Sequence, residues 1–220
     1  PSGAITQTVL AIGNDPTNQK TCTTATITPA SNALITIAVL GHNSTSAPPS
    51  PVVSGGGMTL WAEVASVTFD GVATPHKRMT IFRAMSSAAG SGPVTITWNA
   101  SVSNCQWILS QWTGVDPGGV NGAGAVVQAV SGSIDASNGL ALTLAPLGAA
   151  GNVAYGVFGT NSKVVAITPG AGFTKIGESP SGESPGADLL AEWLVNQMVV
   201  NATWTALNGG GLGVEIKAAP

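Results

Sequence analysis

Val94-Thr95-Ile96-Thr97-Trp98 sets apolar side chains at 94, 96 and 98 against hydroxyls at 95 and 97. A period of two is the mark of a strand with one face in a core and the other in water. Working outward, Lys77–Met85 alternates in part through Met79, Ile81 and Phe82, and Cys105–Trp112 forms another apolar stretch. Ala33-Leu34-Ile35-Thr36-Ile37-Ala38-Val39-Leu40 is apolar nearly throughout and stops at Gly41. Such a run reads as a strand buried on both faces. Further strands are expected at Met58–Phe69, Val126–Ser131, Leu140–Leu144, Val153–Phe158, Phe173–Glu178, Leu189–Met198, Ala202–Leu207 and Gly213–Lys217. Asn121-Gly122, Asn138-Gly139, Asn208-Gly209 and Asp116-Pro117-Gly118-Gly119 lie between them as turn signals, since Asn-Gly suits the positive φ of tight hairpins. In Ala187–Asn196, Leu189, Leu190, Trp193 and Leu194 would also share a helical face. The internal repeat described below favours a strand there.

Composition narrows the function. Only 8% of the 220 residues are charged while 44% are hydrophobic, against a usual charged share of roughly 25%. A chain so poor in charge and rich in Thr, Ser, Asn and Gly fits life inside an assembly better than as a free monomer. The net charge is -3 and there is no basic run, which argues against nucleic acid. The apolar stretches fall far short of the ~20 residues that span a bilayer, so no membrane partner is expected. Pro1-Ser2-Gly3 does not read as a signal peptide, leaving either a cleaved signal or a removed initiator Met. Cys22 and Cys105 allow one long-range disulfide or two small buried apolar side chains.

The two ends of the chain echo each other. Pro29 to Asn43 resembles Pro146 to Asn161, and Gly57–Glu63 resembles Gly172–Glu178. Thr95–Trp98 matches Asn201–Trp204, and Trp107–Leu109 matches Val214–Ile216. Four matches in the same order imply related halves, about 20–115 and 138–218, packed face to face in one antiparallel β-sandwich over 1–220. Two small sandwiches are the alternative.

The order Gly57-x-Thr59-x-x-x-Glu63, a strand ending in Phe82-Arg83, Gly92–Trp98 and Trp107-Ile-Leu-Ser-Gln-Trp-Thr-Gly-Val-Asp116 resembles a family of jelly-roll-like β-sandwich proteins. These proteins occur in bacteriophage virions and on some bacterial surfaces. Residues 92 to 116 carry most of the similarity, and a looser pattern covers about residues 20 to 217. The resemblance implies a non-enzymatic virion role such as head decoration or a capsid or tail accessory. It brings no functional residues with it.

Motifs that could carry chemistry are few. Gly182-Glu183-Ser184-Pro185-Gly186 matches Gly-x-Ser-x-Gly formally. A nucleophile elbow, however, uses the N–H of the residue after its serine, and Pro185 has none. His42 and His76 lack neighbours at metal-ligand spacing. Glu63 and Glu178 form an acid pair at matching repeat positions and read as outward-facing strand residues. Asp70, Asp116 and Asp135 fall in or near turns. Of the six Trp, Trp98, Trp107 and Trp204 read as core. Trp61 and Trp112 are the candidates for an exposed ring against a sugar face. Asn43, Asn99 and Asn201 begin glycosylation sequons that chance alone explains in so Thr-rich a chain.

The expectation is thus an all-β antiparallel, jelly-roll-like sandwich of two related halves, with no catalytic residues, cofactor or metal. Its expected partners are other virion proteins and copies of itself, and its expected location is the virion. The alternative is a carbohydrate-binding module of a secreted or tail-associated protein, using Trp61 and Trp112 on a glycan.

Overall fold

The computed structural model describes residues 3–71, 76–182 and 186–220. Fourteen strands form among the described residues, and every pairing is antiparallel. In the first half they are β1 (Thr6–Asp15), β2 (Gln19–Ile27), β3 (Leu34–His42), β4 (Val52–Gly55), β5 (Ala62–Phe69), β6 (Lys77–Ala84), β7 (Gly92–Val102) and β8 (Asn104–Thr113). The second half holds β9 (Val126–Thr143), β10 (Val153–Thr160), β11 (Thr168–Pro169), β12 (Thr174–Pro180), β13 (Asp188–Val195) and β14 (Val199–Ile216). The all-β antiparallel sandwich is what forms, and Asp188–Val195 is a strand, not a helix.

Each half has an inner sheet and an outer one. The first half runs β1-β8-β3-β6-β5 inside and β2-β7-β4 outside. In the second, β9 and β14 are each 18 residues long and serve both layers. Their Val126–Ile134 and Gly209–Ile216 parts complete the inner order β9-β14-β10-β13-β12. Their Gly139–Thr143 and Val199–Thr203 parts, with β11, build the outer layer. Both strands turn this corner together, through positive φ at Ala136 and Ala206 and a break in register between Thr203 and Gly209. Asn138-Gly139 and Asn208-Gly209 therefore mark a shared bend inside two strands, not hairpins between separate ones.

Three apolar cores separate four layers. The first outer core joins Cys22, Ile96 and Trp98 to Ile35, Ile37, Val39, Trp107 and Leu109. The second joins Leu142, Val200, Ala202 and Trp204 to Ala154, Phe158 and Leu190. Between the inner sheets lies the third, where Leu34, Ala38, Leu40, Met79, Ile81, Ile108 and Trp112 meet Tyr155, Val157, Leu189, Leu212 and Val214. This stacking explains why every residue of β3 and β10 is buried. Each is the middle strand of an inner sheet with a core on both faces.

The inner sheets meet with an approximate two-fold relation. β1 lies over β12, and its counterpart β9 lies over β5. Likewise β8 faces β12 and β13, while β14 faces β5 and β6. Polar ties lock both edges. Asn14 Nδ2 donates to the Pro180 carbonyl (3.1 Å) and Ser179 Oγ to that of Gly13 (2.8 Å). At the other edge, Asp70 accepts from Lys77 Nζ (2.6 Å), Asn161 Nδ2 (2.8 Å) and Asn208 Nδ2 (3.0 Å).

Candidate functional site

The densest group of ionisable side chains outside that clamp lies on the outward face of β12 and β13, where the short β11 leaves the sheet open. An open cleft of about 450 Å³ there is lined by Lys163, Val164, Ala166, Lys175, Glu178, Pro180 and Asp188. Strand alternation places Asp188 and Glu192 on the face that also carries Leu190. Asp188 is 2% exposed and Glu192 is fully buried. Burial, then hydrogen bonding and repulsion from Glu178, pushes the Asp188 carboxyl up to about 8. Glu178 stays ionised: burial would raise it, but hydrogen bonds from Asp188, Lys175 and the Ile167 N–H outweigh that and lower it. Glu192 is pushed up to about 7 by burial.

Two carboxyls whose proton affinities are driven apart are the usual raw material of acid–base catalysis. Here the acids contact the backbone of the 161–172 connection. Glu178 Oε1 accepts the Ile167 N–H (3.0 Å), and Glu192 Oε2 accepts the Gly170 N–H (2.9 Å). Lys175 binds Glu178, and Lys163 Nζ donates to the Gly182 carbonyl (3.2 Å). The acids thus pin the 161–172 connection over its sheet. Asp188 and Glu178 are hydrogen-bonded to each other, closer than the about 5–9.5 Å that separates glycosidase carboxyls. In the first half, Arg78 Nε holds the Pro48 carbonyl (2.6 Å) and Glu63 Oε2 accepts from Ser50 Oγ (2.6 Å), pinning the matching connection. A third buried acid, Glu215, is fully enclosed on β14. It accepts from Gly148 N (2.8 Å), Asn152 Nδ2 (2.6 Å) and Gln128 Nε2 (2.6 Å), and so caps the loop before β10.

Several residues singled out in the sequence take other roles. Trp112 is fully buried at the centre of the middle core, donating Nε1 to Thr36 Oγ1 (2.9 Å) and meeting Tyr155 edge-on at 5.2 Å. Trp61 is 8% exposed and donates Nε1 to the Gly55 carbonyl (3.1 Å). Neither ring has a free face for a sugar: Trp112 follows the alternation of β8 into the middle core, and Trp61 plugs an outer one. Glu63 and Glu178 are not register equivalents. Glu63 pairs with Phe82 and Glu178 with Leu190, which stand two positions apart relative to the central strands β3 and β10. The equivalent feature is a β-bulge, at Glu63/Ala65 in β5 and at Lys175/Gly177 in β12.

His42 is buried beside Lys77, and Asp70 belongs to the polar clamp. Asp116 accepts from Lys217 Nζ (2.7 Å) and the Gly118 N–H (2.8 Å) beside a turn. Ser184, with Glu183 and Pro185, lies outside the described residues. Asp188 and Glu192 are not among the residues that sequence motifs single out. Their signal was there: acids at even spacing in the apolar run Asp188-Leu-Leu-Ala-Glu192 share one face of a strand. Comparison with protein families, curated proteins and solved structures returns no match to this chain.

Proposed function

We propose that this chain is a non-enzymatic structural protein of a phage particle, a capsid decoration or accessory protein that seats a neutral sheet face against other virion proteins, as one member of a symmetric oligomer. The observation that carries the reading is the outer surface of β2-β7-β4. There Thr21, Thr97 and Val52 stand side by side, as do Thr23, Thr95 and Ser54. These are two ladders of uncharged side chains, with Val52 69% exposed among them. Attachment through such a face rests on close packing and hydrogen bonds, and salt does not screen it. Purified protein is expected to co-sediment with undecorated capsids at both low and high ionic strength. A Thr21→Lys/Thr97→Lys variant, folded by circular dichroism, is expected to stay in the supernatant. Equal binding by that variant, or no binding by the parent chain, overturns the proposal.

One observation favours a second reading, a glycan-binding module. Ser137, Asn138, Asn201 and Thr203 line an open cleft of about 450 Å³ on the opposite outer layer. Amides and hydroxyls offer both donors and acceptors to sugar hydroxyls. Polysaccharide titration by calorimetry separates the readings: saturable heat abolished in Asn201→Ala belongs to the second.

A further inference from the structure

Cys22 is in β2 of the outer sheet and Cys105 in β8 of the inner one, and both are fully buried in the same core. One chain of contacts brings them to one spot. Cys22 pairs with Ile96, two residues before Trp98 on the same face of β7. The Trp98 ring crosses the core onto Gly41, where a methyl group would come within 2.4 Å of the ring. Gly41 is in turn the residue paired with Cys105. The two thiols interact: burial, and after it the contact with Cys22, pushes the Cys105 thiol well above its ordinary range. A thiol held protonated in an apolar core reacts slowly, so any oxidation would accompany folding or transient opening of the outer sheet.

We propose that Cys22 and Cys105 are an oxidisable pair that closes into a disulfide, stapling the outer sheet β2-β7-β4 to the inner sheet through exchange with a small-molecule disulfide such as oxidised glutathione. One cysteine thiolate attacks a glutathione sulfur, breaking its S–S bond, and the first glutathione thiolate leaves. The second cysteine thiolate attacks the protein sulfur of the mixed disulfide, and the second glutathione leaves. The two protons lost by the cysteines end on the two glutathione thiols, so the protein is oxidised by two electrons and the glutathione disulfide reduced by two. The bridge would enclose everything from β3 to β7, and long loops gain most from such closure.

The test uses the full chain, incubated with oxidised glutathione in buffer and, separately, in urea just below its unfolding midpoint. Remaining thiols are alkylated and unreduced peptides are read by mass spectrometry. The expected product joins the Cys22 and Cys105 peptides, lighter by two hydrogens. Its urea midpoint should exceed that of reduced protein and fall back when reductant is added. In Cys22→Ala and Cys105→Ala the midpoint should ignore the oxidant. Two alkylated cysteines under both conditions overturn the proposal, as do separate glutathione adducts on each cysteine or links only between molecules.

Discussion

Lys77 is 1% exposed, yet the clamp around it keeps its charge matched. Burial lowers the Lys77 ammonium and the hydrogen bond to Asp70 restores part of the loss. On Asp70 the balance runs the other way: burial would raise the carboxyl, but hydrogen bonds from Lys77, Asn208 and Asn161 hold it below its ordinary value. Removing one partner of such a pair leaves a buried charge uncompensated, so Asp70→Ala should cost about 3–5 kcal/mol in urea unfolding. Burial, then repulsion from Lys77, lowers His42 to about 4. Both His42 and Asp70 have folded values below their unfolded ones, so the stability they lend is complete at neutral pH and drains away on acidification. The His42 share should disappear between about pH 6.5 and 4, and urea midpoints of His42→Gln across that range should be flatter than those of the parent. Trp112→Ala, which empties the middle core, should cost about 3–5 kcal/mol in the same assay. Neither role, for Trp112 or for Asp70, is legible in the sequence. Alternation tells which side a ring lies on, but not that the far side of the sheet is also covered.

The 161–172 connection responds to alkali. Asp188 and Glu192 have folded values raised to about 8 and 7, so the stability tied to their neutral forms is present in acid and lost as pH rises through those values. Ionisation would put new negative charge beside Glu178, which Lys175 alone already balances. Limited proteolysis is expected to cut within 163–170 faster at pH 9 than at pH 6, with Asp188→Asn suppressing most of the difference. Legibility at this scale followed how apolar each strand is. The Ala33–Leu40 run and Val94–Trp98 stood out because cores dictate them, and both are strands. β1, β2 and β4 are not legible in the sequence: Thr and Gln dominate β2, and in β1 and β4 the apolar Val9, Ile12 and Val52 are exposed, so hydropathy does not alternate with burial. The long strands β9 and β14 read as pieces because Asn-Gly looks the same in a hairpin and in a corner.

The two halves of the molecule share a strand order. The register between them is not the one the sequence echoes suggest. Aligning Asn32 with Asn152 sets Leu34, which faces the middle core, beside Ala154, which faces an outer one. Matching Ile108 with Glu215 makes the same slip. A one-residue shift reverses every side chain, and strands buried on both faces show no hydropathy that would reveal it. Because the middle core draws on both halves, heat should unfold the chain in one cooperative transition by calorimetry. A 1–116 fragment would bare Leu34, Ala38, Leu40, Met79, Ile81 and Ile108, and light scattering should find it dimeric or aggregated. The approximate two-fold also fixes which way the molecule looks. Three gaps of about 10 Å hold the outermost backbones about 30 Å apart, with their hydroxyl-rich sides pointing in opposite directions. A flat support can therefore touch one side only. In the role proposed, the other would face away, and each copy would act as a spacer with a second, unused grip on its far end.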